Sequence, residues 1–149
     1  MNYADEALVL ALRIENDAGV SAVPVELCNA FEEATKALGP DSPYRKYLGW
    51  EAALYAYVLP VHGEPSHEAE EFVPFSQCGD LRHPPAVKDF PDEATDYFRK
   101  RLVCAIVPTA RARLADFLWL RTREVAFADQ AITEYANGAS QSFPRVLAR

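Results

Sequence analysis

The chain is poor in the residues that usually betray a catalytic or metal-binding protein. It has three cysteines, three histidines, six glycines and one methionine in 149 residues. Cys28, Cys78 and Cys104 are widely spaced, odd in number and form no CxxC pair. That excludes a recognisable disulfide framework and points to a reducing compartment. No glycine-rich phosphate loop, HExxH or GxSxG occurs. Long apolar runs are also missing. The run Ala7 to Leu12 is too short for a membrane span or a signal-peptide core, and the acids Asp5 and Glu6 stand where a basic leader would be. These features together lead us to expect a cytoplasmic protein with no membrane attachment.

Half of the residues are hydrophobic and 11% are aromatic, enough to bury a core in one domain spanning 1–149. The net charge of −7 disfavours general contact with nucleic acid or anionic lipid. The charge is uneven, however. Arg99, Lys100, Arg101, Arg111, Arg113, Arg121 and Arg123 face a single acid, Asp116, within residues 99–123.

Helix signals recur along the chain. An Ala- and Leu-rich stretch over 3–16 opens with acids in its first turn. Pro24 and Gly39 bracket a helix at 24–38 with the stripe Leu27, Ala30, Phe31, Ala34 and Leu38. Ser42 and Pro43 begin a helix over 43–59 that is apolar nearly all round, the mark of a central element, and Pro60 stops it. Residues 60–91 hold many prolines and all three histidines, and read as a long loop with a short helix at 65–71 or a hairpin near 72–81. A helix over 91–107 carries Ala94, Phe98, Leu102, Ala105 and Ile106 on one face and is ended by Pro108. Helices over 109–121 and 125–137 follow, joined so closely that they must pack antiparallel. The expected fold is all-α: an irregular bundle of about six helices with a C-terminal antiparallel hairpin and a long Pro-rich loop at 60–91. Ser142, Phe143 and Pro144 restart a helix signal that the chain does not complete, which suggests a longer parent protein or a frayed tail.

The segment 110–139 contains Arg111, Arg113, Leu114, Asp116, Leu118, Trp119, Arg121 and Arg123, followed by Ala128, Ala131, Ile132 and Tyr135. Upstream lie Pro74, Phe75, Gly79, Arg82, Pro85 and Asp89. This pattern over roughly 72–139 resembles the N-terminal helical domain of large bacterial proteins of unknown function that end in a HEPN-like helical domain. The resemblance implies a helical fold and no established activity. The hairpin also resembles a single tetratricopeptide unit, of which about three are needed for stability.

Arg113 and Asp116 lie one turn apart and suit a clamp between the hairpin helices, while Arg121 and Arg123 suit a helix C-terminus. The other reading is an interaction site comprising Arg99, Arg101, Arg111, Arg113, Asp116, Arg121 and Arg123. His62, His67, Cys78 and His83 form a weak zinc alternative, since zinc sites favour tighter pairs. Cys78 beside His83 is the one conceivable thiol–imidazole pair. Glu64, Glu68, Glu70 and Glu71 read as a solvated face, and Tyr44, Tyr47, Trp50, Tyr55 and Tyr57 as core rather than pocket. The expectation is a non-catalytic α-helical interaction domain with no cofactor and a protein partner. The alternative is a nucleic-acid-binding domain using 99–123.

Overall fold

The computed structural model describes residues 2–55 and 87–136. Six α-helices make up this part: α1 (Tyr3–Ala18), α2 (Pro24–Ala37), α3 (Arg45–Tyr55), α4 (Asp92–Cys104), α5 (Pro108–Thr122) and α6 (Val125–Ala136), with a 3-10 turn at Val87–Asp89 before α4. No strand is present among the described residues. The all-α bundle and its C-terminal hairpin are as expected. Most of the 60–91 loop, with its proposed short helix and hairpin, lies outside the described residues.

Local chemistry sets the helix ends. The Asn2 side chain accepts the Asp5 N–H at 2.8 Å and caps α1, with Asp5 and Glu6 in the first turn. Gly19, at φ +100°, ends α1 in a conformation that favours glycine, and its N–H bonds the Glu15 and Asn16 carbonyls. Asn2→Ala should therefore lower stability by about 1 kcal/mol in denaturant melts. Helix α2 starts on Pro24, and the Glu26 carboxylate reaches back to the Val23 N–H at 2.9 Å.

Two boundaries differ from expectation for physical reasons. The Ser42 hydroxyl accepts from the Tyr44 N–H, closing a turn around Pro43, so α3 starts only at Arg45. Helix α4 stops at Cys104, and Pro108 begins α5 rather than ending α4. Proline fits the first turn of a helix, where its missing N–H leaves nothing unsatisfied, and it holds the preceding Val107 extended. The chain therefore turns at 105–107. Ala105 stays buried, but Ile106, expected on the buried face of α4, is exposed. Between α5 and α6 the turn needs one left-handed residue, Arg123, at φ 61°.

Helix α5 packs most heavily on α6 and also on α4; α2 packs on α3, and α1 touches α2, α3 and α4. Two hairpins, α2–α3 and α5–α6, thus pack together with α1 and α4, and α3 also touches α5. Helix α3 buries Tyr47, Leu48 and every residue from Glu51 to Tyr55, as its nearly uncharged sequence implies. Helix α5 is buried still more completely, from Thr109 to Leu118 except Arg111. Its sequence obscures this because Arg113 and Asp116 lie inside. Phe98 and Phe117 meet edge to face at 5.0 Å, and Phe90 meets Phe117 at the same distance. Phe90, in the segment read as loop, is thus a core residue. The Tyr47 and Tyr97 rings join a second cluster with Trp50 between α3 and α4.

Cys28 is buried on α2, and Cys104, half-buried at the end of α4, keeps a free thiol.

Candidate functional site

Two features of the bundle carry unusual chemistry. One is internal: an ion cluster where α1, α3 and α4 meet. Glu15, Glu51 and Arg101 are all fully buried. The Arg101 Nη2 lies 2.5 Å from Glu15 Oε2, and its Nε donates to Glu51 Oε2 at 2.8 Å. The Tyr97 hydroxyl donates to the same Glu51 oxygen at 2.7 Å. Glu15 Oε1 accepts the N–H groups of Ile106 and Val107, at 3.0 and 2.7 Å, just where the chain enters α5. A carboxylate suits a helix N-terminus because the dipole is positive there. The cluster therefore ties four helices through three charged side chains.

Burial pushes the Glu51 carboxyl above its ordinary range, although Arg101 and the Tyr97 hydrogen bond oppose the shift. Burial likewise pushes up the phenols of Tyr55 and Tyr97. Arg101 resists its own burial because Glu51, Tyr55 and Glu15 favour its charged form, and its pKa is raised. A charge sequestered in this way has no route to an external ligand, so the cluster reads as a structural joint rather than a reaction centre.

The second feature is external: a groove of about 380 Å³ lined by Arg99, Leu102 and Val103 of α4, Arg111 of α5, and Phe127 and Gln130 of α6. Val103 is 83% exposed, a high value for an aliphatic side chain beside an apolar groove. Among the described residues no carboxylate lines the groove. Arg99 pairs with Glu124 at 2.9 Å and its guanidinium lies 5.4 Å from the centre of the Phe127 ring. Arg111 pairs with Glu134 at 2.5 Å and donates to the Ala105 carbonyl. The Arg99 guanidinium holds the exposed Glu124 carboxyl below its ordinary value.

The seven residues singled out from the sequence do not converge. Arg101 and Arg113 are buried, as is Asp116. Arg99 and Arg111 flank the groove. Arg121 is bound to the Val87 and Lys88 carbonyls, the Thr95 hydroxyl and Asp92, fastening the 3-10 turn to the end of α5. Arg123 lies over the half-buried Trp119 ring at 5.2 Å. Thus the basic segment is divided between the core, a turn and a groove. A nucleic-acid surface needs these cations together on an open face. His62, His67, Cys78 and His83 lie outside the described residues, as do Glu64, Glu68, Glu70, Glu71 and Tyr57. Among the described residues no group of three or more His, Cys, Asp or Glu could hold a metal. Tyr44, Tyr47, Trp50 and Tyr55 belong to, or pack against, the core.

The sequence offered no sign of the internal cluster. Glu15 and Glu51 look like ordinary helix acids, and only the near-absence of other charges around Glu51 hints at burial.

No helix among the described residues is long and apolar enough to cross a membrane. No curated protein and no solved structure gives a significant match to the chain. Residues 14–145 match a family described as a domain of unknown function, DUF7380. That match covers helices α2 to α6 and the last turn of α1, and the chain accordingly belongs to the DUF7380 family.

Proposed function

We propose that the protein is a single non-catalytic interaction domain, 1–149, that receives an amphipathic helical segment of another protein in the α4–α6 groove. The observation that carries this reading is the combination of solvent-exposed Val103 with Leu102 and Phe127 between two arginines, without a lining carboxylate among the described residues. An apolar stripe on a docked helix would fill the floor, and flanking acids would exchange with Glu124 and Glu134. The Arg99–Glu124 pair is exposed, and such pairs are worth only about 0–1 kcal/mol, so exchange there costs little; the Arg111–Glu134 pair is part-buried and exchanges less readily. The resemblance noted above supplies a setting: the domain would recruit a partner to a larger bacterial protein that bears a HEPN-like domain.

The test uses the full chain, isotope-labelled, with a panel of acidic and basic amphipathic helical peptides and a single-stranded RNA. Acidic peptides should shift the signals of Leu102, Val103 and Phe127, and Val103→Asp should abolish those shifts. Because Val103 is so exposed, that substitution should move stability by less than about 0.5 kcal/mol in a thermal melt. Unchanged spectra with every peptide, together with salt-dependent shifts on adding RNA, would replace this reading with the nucleic-acid one.

A further inference from the structure

The internal cluster has two carboxylates and one guanidinium, all without solvent contact. We propose that the folded protein closes around one extra proton on Glu51 Oε1, and that losing it loosens the junction of α1, α3 and α4.

The hydrogen bonds decide where the proton goes. Glu15 Oε1 already accepts two backbone N–H groups, and Glu15 Oε2, although it accepts no hydrogen bond, is in ion-pair contact with Arg101 Nη2 at 2.5 Å. Glu51 Oε2 already accepts from Tyr97 and Arg101. Glu51 Oε1 is buried and accepts nothing. A bare carboxylate oxygen in that position carries the full cost of desolvation, whereas a protonated one does not. The Tyr55 hydroxyl, one turn along α3, is also buried without a hydrogen-bond partner.

The charged surroundings of Glu51 agree. Helix α1 presents Glu15, which repels a second negative charge. Helix α4 presents Arg101 and Tyr97, and α3 itself Tyr55. Helix α5 carries Arg113, close enough to act on the Tyr55 hydroxyl, and Asp116 one turn on. Helix α2 turns Leu27, Cys28 and Phe31 into the core, none of them a charged side chain. One guanidinium is thus shared between two carboxylates, and burial pushes the Glu51 carboxyl upward.

The direction of the linkage follows. A carboxyl whose pKa is raised by folding contributes stability that is complete below its unfolded value. That stability is lost as pH rises towards and through the folded value. Between the two values the folding equilibrium should weaken by up to about tenfold per pH unit.

Two measurements on the full chain test this. Thermal melts across a pH series should show wild type losing stability as pH rises relative to Glu51→Gln, which keeps an uncharged side chain at that position. Infrared spectra with isotope-labelled glutamate should show a protonated-carboxyl band in folded wild type well above the ordinary carboxylate range, absent from Glu51→Gln. Parallel pH profiles, or no such band in folded wild type, would overturn the proposal. If Glu51→Gln does not fold, the wild-type band alone decides: its presence at neutral pH supports the proton and its absence refutes it.

Discussion

Arg101→Met lowers the stability of the protein by about 3–5 kcal/mol, because it leaves Glu15 and Glu51 buried without their shared cation. In a chain of this size that loss moves the thermal midpoint down by roughly 10 °C or more. Whole-domain stability is only about 5–15 kcal/mol, so partial unfolding at room temperature is within range. The penalty belongs to the stranded acids rather than to the missing contact. Consequently, removing the Glu51 arm as well should soften it. Arg101→Met combined with Glu51→Leu and Tyr97→Phe takes away the cation, one of its two carboxyl partners and the hydroxyl that would otherwise lose its acceptor. Glu15 still accepts the two N–H groups at the start of α5. The triple variant should melt above Arg101→Met. A triple variant no more stable than the single one would mean that the cation matters through packing alone.

Phe117→Ala has the second large expected effect, about 3–5 kcal/mol in denaturant unfolding. Phe117 is fully buried on α5 and meets both Phe90 and Phe98 edge to face. Its removal opens a cavity bounded by three elements and forfeits aromatic contacts worth about 0.5–1.5 kcal/mol each beyond area burial. Phe90 lies between the 3-10 turn and α4, so the same substitution should also free the segment before α4 from the core. Hydrogen exchange would register this as lost protection at Phe90, whose N–H bonds the Val87 carbonyl. A loss below about 1 kcal/mol would show that the three-ring cluster repacks without cost.

The two parts of the molecule differ in how they answer to mutation. The cluster around Arg101 and the rings around Phe117 govern whether the helices stay together. The groove beside Val103 stands on the outer side of α4, and its residues Arg99 and Val103 face solvent while Arg101 faces inward. Substitutions in the groove can therefore test the proposed binding apart from folding, which substitutions in the cluster cannot.

Helix count, order and most boundaries were readable from the amino-acid sequence, because they depend on local chemistry. Pro24, Gly19 and the acids opening α1 and α4 act within one turn of their own positions. The two-residue link between α5 and α6 leaves no geometry but a hairpin. The apolar surround of Glu51 likewise announced a central α3. Pro108 was readable only in part, since a proline can end one helix or begin the next and the choice depends on where the chain turns. The fate of the charges was not readable at all. Arg99 and Arg101 are two residues apart, yet one flanks a groove and the other is sealed in the core. A helix turns about 100° per residue, so the two must diverge, but the direction of the interior is set by helices α1, α3 and α5 packing on α4. The partners of Arg101 lie 50 and 86 positions away, and no local pattern links residues at that distance. Sequence thus determined the elements, while tertiary packing alone decided which charges were sealed in the core and which stayed at the surface.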